Sequence, residues 1–223
     1  MTVGGRVFYV KMAEEHRGIR WRLQKGNPQT AFARETALLQ AFAARGAPVP
    51  DILAQDEQRI VLGDHGMPVH QIIADTLDCI NVLQATGKAL ANLHAFGLAH
   101  GRPSLRDLCW DGTKITFLDL EAGASLSAQP KQKARDLFLL LHSAMTWCPT
   151  SSEPVATIAQ AYHEHGEIEV QQHLSWLARR FFWLDLLASP VIWRDVRRGK
   201  KRSEFLAFRR TRQLILHQQY AGG

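Results

Sequence analysis

The chain has 223 residues, of which 46% are apolar and 22% charged, with a formal net charge of +6. That is the balance of a soluble globular chain, long enough to bury a core as one domain of two small lobes or one larger domain. No run approaches the ~18 apolar residues of a membrane span and the amino terminus has no signal-peptide core; the three cysteines, Cys79, Cys109 and Cys148, lack metal-ligand spacing and read as buried thiols, so a cytoplasmic protein is expected.

Arg6 to Lys11 reads as a strand, with Gly4-Gly5 as a turn before it. Residues 12 to 29 are polar and basic, with Arg17, Arg20, Arg22 and Lys25, and Gly26-Asn27-Pro28 closes them as a loop. Thr30 is then placed to cap a helix whose apolar positions are Phe32, Leu38, Leu39 and Phe42; Gly46 ends it, and Pro48 and Pro50 follow. Glu35 lies inside this helix. Two strands are expected next, Pro50 to Leu53 and Arg59 to Gly63, before the turn chemistry of Gly63 to Pro68.

Val69 to Ile80 is a weaker helical stretch, and Leu83 to Phe96 a better one, with Leu83, Leu90, Leu93 and Phe96 at helical intervals and Gly97 as its stop. His94 on it reads as a packed or capping histidine rather than a ligand. Between His100 and Glu121 the chain runs HGRPSLRDLCWDGTKITFLDLE. Asp111-Gly112 predicts a two-residue hairpin turn between Leu108–Trp110 and Lys114–Leu118, with Thr116 alternating between Ile115 and Phe117 as in a half-buried strand. Polar residues cluster at both outer ends: His100, Arg102, Arg106 and Asp107 before, Asp119 and Glu121 after. A short hairpin brings its ends together, so Asp107 and Asp119 are expected to face one site.

A small-residue loop, AGASLSAQPKQK, leads into an apolar helix at Ala134 to Leu141 that carries Asp136. Helices are then expected over Val155 to His165 and Val170 to Leu187, with Trp176, Leu177, Phe181, Phe182, Leu184 and Leu186 as core and Arg179 and Arg180 on the wet side. The last helix, Glu204 to His217, sets Phe205, Phe208 and Leu214 among arginines. Positive charge concentrates in Arg194, Arg197, Arg198, Lys200, Lys201, Arg202, Arg209, Arg210 and Arg212, opposed only by Asp195 and Glu204. Such a block attracts phosphate, acidic headgroups or nucleic acid. The readings are a solvated basic face on a packed helix, or peripheral contact with an anionic membrane through Arg194–Arg212. The aromatics are spaced for a core rather than for base stacking, which argues against nucleic acid.

The order His, loop, hairpin, Asp resembles the catalytic and metal loops of the protein-kinase-like superfamily: His-x-Asp, four residues, Asn, a hairpin, then Asp-Phe-Gly. Within it, the His100-Gly101 opening and ITFLDLE look most like bacterial lipopolysaccharide kinases, the Kdo and heptose kinases, and are similar also to small RIO-like kinases. The resemblance implies an α+β fold of two lobes. Residues 1–66 would form a reduced amino-terminal lobe, a short antiparallel sheet plus one helix; residues 67–223 would form a mainly helical lobe ending in the basic helix. It implies ATP and Mg²⁺. Lys11 would hold the nucleotide phosphates, braced by Glu35, and Asp107, at the Asn position, would hold the metal with Asp119. His100 and Asp136 would be scaffold residues, on the metal loop and under the catalytic loop. Alone, Lys11 reads as a solvated strand-end lysine, Glu35 as an exposed partner of some arginine, and Asp136 as an ordinary helix-start aspartate.

Two departures bear on activity. Arg102 stands at the position of the catalytic Asp, and a guanidinium does not accept a proton. Asp107 or a substrate phosphate would have to substitute, or Arg102 grips an anionic substrate, or it pairs with Asp119 and blocks the metal. Only ten residues precede Lys11, which leaves no room for two earlier strands and a glycine-rich phosphate cover; either the natural chain extends before Met1 or nucleotide is held loosely. The resemblance therefore implies an Mg-ATP phosphotransferase acting on a sugar or glycolipid hydroxyl at the inner membrane face, or a pseudokinase serving as a binding or regulatory module.

Overall fold

A computed structural model describes residues 2–3, 6–12, 28–75, 79–120, 123–200 and 202–220. Expectations resting on Gly4-Gly5, Arg17, Arg20, Arg22, Lys25, Gly26-Asn27, Glu121 and Lys201 lie outside these residues. The fold is α+β, with short antiparallel sheets at the front and helices behind.

The first strands are β1 (Thr2–Val3) and β2 (Arg6–Val7), paired antiparallel, so two strands do precede Lys11, each only two residues long. This corrects the expectation that ten residues cannot hold both. The predicted Arg6–Lys11 strand is divided: β3 (Tyr9–Met12) belongs to a different sheet, with β4 (Ile52–Gln55) and β5 (Arg59–Leu62) in the order β3-β5-β4. Its register sets Lys11 opposite Ile60.

Helix α1 (Pro28–Ala44) begins two residues before Thr30, which therefore lies in its first turn and is not its cap. Proline suits that first position, where its missing N–H has no intrahelical acceptor and its φ is already helical. Phe32, Leu39 and Phe42 are buried on one side of the helix.

A third sheet has the order β6-β7-β8, from β6 (Met67–Pro68), β7 (Leu108–Trp110) and β8 (Ile115–Phe117). Trp110 pairs with Ile115, so the hairpin loop has four residues, Asp111 to Lys114, rather than two. The cause is the Asp111 carboxylate, whose Oδ1 accepts from the Thr113 and Lys114 amides and the Thr113 hydroxyl. Such a side-chain turn competes with the tighter one. Ile115, Thr116 and Phe117 are all buried, so this strand is covered on both faces, not half exposed. The Phe117 amide donates to Pro48 O at 2.8 Å, which ties the hairpin to the segment after α1.

Behind the sheets lie α2 (Val69–Asp75), α3 (Ile80–Ala95), α4 (Pro130–Trp147), α5 (Glu153–His165), α6 (Ile168–Arg180), α7 (Phe182–Arg197) and α8 (Glu204–Tyr220). The core is built from Leu90, Leu93, Leu137, Leu140, Leu141, Val155, Ile158 and Tyr162, with Leu98, Leu105, Leu108 and Phe117 from the loop and hairpin. Each such side chain contributes about 1.5–3 kcal/mol on leaving water. Helices α3 and α5 pack closely because Gly87 has no side chain; a Cβ there would sit 2.3 Å from Ile158 O.

Several core expectations are corrected. Phe96, Trp176, Phe182 and Leu186 are exposed. The expected single helix over Val170–Leu187 is two, meeting at Phe181, and the second swings its apolar residues outward. The basic block is not uniformly solvated either. Arg212 is buried, bonded to Asp185 Oδ2 at 2.5 Å and Ala178 O at 2.9 Å, and Arg209 donates to Asp185 O and Ser189 Oγ. Asp195, buried, is held by Ser203 and Lys200. Among the described residues no helix is long and apolar enough to cross a membrane.

Candidate functional site

Lys11 enters the site from β3, and its ammonium contacts two carboxylates from distant parts of the chain. Nζ lies 2.5 Å from Glu35 Oε1 on α1 and 2.7 Å from Asp119 Oδ1 after β8. Burial acts to lower its pKa, but hydrogen bonds and charge from Asp119 and Glu35 outweigh it, so Lys11 titrates above the ordinary lysine value. Asp119 has φ +51°, the one positive value at a non-glycine residue among those described. Such a backbone costs of order 1–3 kcal/mol and persists where neighbours fix it.

The neighbours are the loop before β7. His100 is buried, and its Nε2–H donates to Leu118 O at 2.7 Å, next to Asp119. The Leu118 amide donates to Asp107 O at 2.7 Å. Asp107 is therefore tied by its backbone to the residue before Asp119, and the Asp119 charge acts on its carboxyl. The Asp107 pKa is raised, first by burial and further by that like charge, against the Ser104 hydroxyl, which donates to Oδ2 at 2.7 Å. The adjoining Cys109 thiol is pushed up to about 11 by burial and is no nucleophile at neutral pH.

Asp136, on α4, lies beneath. Its carboxylate, 1% exposed, accepts from the His100 amide at 2.6 Å and from the Gly101 amide. Behind it stands His94, with Nε2 3.6 Å from Asp136 Oδ2 and Nδ1 2.7 Å from the Tyr162 hydroxyl. Gly101 has φ +97°, and a Cβ on it would stand 2.4 Å from the Gly123 carbonyl carbon. Only glycine permits both the backbone angle and this approach to the segment after Asp119. An isolated antiparallel bridge, Ala99 to Ser125, fastens the same two segments.

All seven candidate residues can thus be placed. Lys11, Glu35 and Asp119 are in direct contact; Asp107 reaches them through Leu118; His100 and Asp136 bond backbone groups of the two loops. Arg102 is exposed on the same loop and acts on Asp107 as a nearby positive charge. The direct Lys11–Asp119 bond, the Ser104–Asp107 bond, the His94–Tyr162 pair and the Gly101–Gly123 approach carry no sequence motif. A glycine two residues after Asp119's Leu120-Glu121, itself following a His-Gly, was the one available hint to the last.

No group of three or more His, Cys, Asp or Glu side chains gathers as a metal cluster among the described residues. Mg²⁺ asks for less: one or two carboxylates, with water and phosphate oxygens completing its shell. Asp107 and Asp119 supply hard oxygen donors on adjoining backbone, and the Asp107 pKa, raised chiefly by burial with the Asp119 charge adding to it, marks a carboxylate whose ionised form a bound cation would favour. The donor set fits the ion.

Residues 2–162 match the family model described as lipopolysaccharide kinase (Kdo/WaaP). An uncharacterized protein of Haemophilus influenzae is 30% identical over 190 residues, 83% of this chain and 78% of that protein. The match spans β1 to α5 and so includes Lys11, Glu35, the His100–Asp119 segment and Asp136. The chain belongs to the lipopolysaccharide kinase (Kdo/WaaP) family.

Proposed function

We propose that the protein transfers the γ-phosphoryl group of ATP to a hydroxyl of a sugar or glycolipid. Residues 1–66 act as a reduced amino-terminal lobe and 67–223 as the helical lobe, with nucleotide between them. The observation that carries this reading is the Lys11 ammonium held between Glu35 and Asp119 at 2.5 and 2.7 Å. A lysine braced by a helix carboxylate is a phosphate clamp, and phosphoryl transfer asks chiefly for positioning and charge neutralisation. Asp107 and Asp119 would hold Mg²⁺, which neutralises charge on the phosphate oxygens. His100 and Asp136 fix the two loops. The oxygen of the acceptor hydroxyl forms the new P–O bond as the bond to ADP breaks, its proton passing to the Asp107 carboxylate or to a phosphate oxygen of the substrate, and Arg102 neutralises charge on the acceptor side. Millimolar Mg-ATP is expected to raise the melting temperature, and Asp119→Ala to abolish that rise. Absence of a shift in the parent protein removes the enzyme reading.

A second reading, a pseudokinase that binds without transferring, is favoured by one observation: an exposed arginine occupies the place of the proton acceptor. General base catalysis contributes ~10²–10⁴-fold, so its loss slows transfer without abolishing nucleotide binding. Arg102→Asp decides between them. A rise in ATP turnover means the site is otherwise competent; an unchanged zero rate with retained nucleotide binding assigns the pseudokinase.

The surface partner we assign is an anionic membrane, at the inner face where such an acceptor would be met. The supporting feature is α7 together with the start of the basic block. Phe182, Leu186, Leu187 and Trp193 are exposed there, and Arg194, Arg197 and Arg198 follow. Aromatic and aliphatic side chains with arginines at their edge are what an interfacial helix presents to acidic lipid. Co-sedimentation with anionic but not neutral vesicles tests it; equal recovery from both at low and high salt removes this partner.

A further inference from the structure

A cavity borders the loop that carries Asp107. It has a volume of about 390 Å³, within the ~300–1,000 Å³ of small-molecule sites, and is built from three separate parts of the chain. The loop contributes Arg102, Ser104 and Arg106; α4 contributes His142 and Trp147; Arg202, just before α8, and Glu204, its first residue, complete the lining. Neither Lys11 nor Glu35 lines it, so it is separate from the lysine clamp.

Its charge is strongly one-sided. Three guanidiniums face one carboxylate, and that carboxylate, Glu204, is already engaged with His142 Nε2 at 3.0 Å. Burial holds the His142 pKa below the ordinary histidine value, so His142 adds no charge at neutral pH and the lining stays positive by two. Trp147 organises two of the three cations. The Arg202 guanidinium lies 3.8 Å from the indole centroid and that of Arg106 5.8 Å. His70 packs against the same ring system, 4.5 Å between centroids. A guanidinium stacked on an indole keeps its N–H edge available, and that edge matches a phosphate or carboxylate with two parallel hydrogen bonds. Stacking also removes rotamer freedom before any ligand arrives, which lowers the cost of binding.

The cavity abuts the proposed site through one hydroxyl. Ser104 lines it and also donates to Asp107 Oδ2 at 2.7 Å. The Leu105 amide, next in the chain, is held by Ser143 Oγ at 3.0 Å, so the loop is fastened to α4 beside the cavity. A molecule seated here is one hydroxyl, that of Ser104, away from the Asp107 carboxylate.

We propose that this cavity is an anion-recognition site, in which Arg202, stacked on Trp147, together with Arg106 near the same ring and Arg102, holds the phosphate or carboxylate of a sugar-sized ligand. Its identity as the acceptor's binding site rests on the phosphotransferase reading above; the binding itself does not. The substitution at the base position is then part of the recognition surface: Arg102 exchanges a proton acceptor for a charge that selects acidic molecules.

The test is titration calorimetry of the full chain at low salt with ribose 5-phosphate, glucuronate, inorganic phosphate and neutral ribose. The two acidic sugars are expected to bind and ribose not to; inorganic phosphate binding as tightly as ribose 5-phosphate would assign the site to a free anion rather than a sugar. Binding should weaken with added salt. Arg202→Met and Arg106→Met should each weaken it about tenfold or more, since a hydrogen-bonded charge pair is lost. Arg202→Lys, which keeps the charge without the planar fork, should fall between. Lys11→Met should leave the acidic sugars bound while removing the Mg-ATP shift. The proposal is overturned if ribose binds as well as its phosphate, if no acidic probe binds the parent protein, or if Lys11→Met removes both ligands together. The parent protein's selectivity and salt dependence decide the matter even where an arginine variant does not fold. Absence of the Mg-ATP shift in the parent protein itself, with sugar-phosphate binding present, would remove the kinase reading alone.

Discussion

Lys11 and Asp119 are 108 residues apart in sequence and 2.7 Å apart in space. That bond closes the front sheet onto the loop after β8, and Glu35 completes it from α1. Its side chains are 37% and 60% exposed, so solvent screens the pair and its worth to folding is small, under about 1 kcal/mol. Lys11→Met is therefore expected to change the denaturation midpoint only slightly, yet to remove the Mg-ATP thermal shift. A large loss of stability would mean that the lysine serves the fold rather than a ligand.

Asp136 gives the opposite expectation. It is 1% exposed and accepts three hydrogen bonds from two backbone amides of the 100–101 segment. Replacing it by alanine leaves those amides buried without an acceptor, at about 1–3 kcal/mol each. Asp136→Ala should lower the unfolding free energy by about 3 kcal/mol or more in urea titration, and Asp136→Asn, which keeps one acceptor oxygen, by less. An Asp136→Ala protein as stable as the parent would place the aspartate outside the scaffold.

Much of this arrangement was legible because local chemistry and tertiary structure agree. The spacing from His100 to Asp119 marks a loop, a hairpin and a second loop, and the strands and helices around it follow their apolar periods. All but one of the misreadings come from long-range packing, and the exception is the hairpin turn. Asp111 accepts three local bonds and lengthens the hairpin turn, an outcome decided by side-chain geometry. Thr116 is buried because β8 lies between β7 and Pro48, not at a wet sheet face. Phe182 and Leu186 have the composition of core residues, but the chain turns at Phe181 and no layer covers them. Arg212 looks like a surface charge until Asp185, from α7, meets it. The arginine cavity draws on residues from 102 to 204, a separation no motif spans.

His94 predicts how the fold responds to acid. It is buried, and burial lowers its pKa below the ordinary value of 6.5, with Asp136 acting in the other direction. The unfolded chain then binds a proton that the folded chain resists, so stability is full above about pH 6.5 and falls as pH drops through that value toward the lowered folded one. His94→Gln, which can keep a hydrogen bond to the Tyr162 hydroxyl, should flatten that part of the stability profile. His142, lowered by burial as well, adds to the same window. Urea midpoints measured from pH 8 to pH 5 check this. An identical slope in parent and His94→Gln would assign the loss to other groups.

The outer face of α7 separates fold from surface attachment. Phe182 is 64% exposed, Leu186 76%, Leu187 66% and Trp193 62%, whereas Ile192 and Asp195 turn inward on the same helix. At 100° per residue, Phe182, Leu186 and Trp193 fall on one narrow arc, with exposed Val196 beside it. Arg197 lies over the Trp193 ring, 4.5 Å from its centroid, which sets a cation at the edge of the apolar arc. Exposed side chains of this kind contribute little to folding, and their replacement usually changes stability by less than about 0.5 kcal/mol. On a bilayer the same side chains would leave water, at about 1.5–3 kcal/mol each. The double substitution Leu186→Ser with Trp193→Ser should thus leave the urea midpoint nearly unchanged and lower partitioning onto anionic vesicles by about tenfold or more. Arg194→Gln with Arg198→Gln should lower it too, by about 1 kcal/mol per charge, and that part alone should vanish at high salt. Velocity sedimentation without lipid supplies the competing outcome: if the parent dimerises with rising concentration and the serine variant does not, the face joins two copies of the chain and the membrane assignment falls.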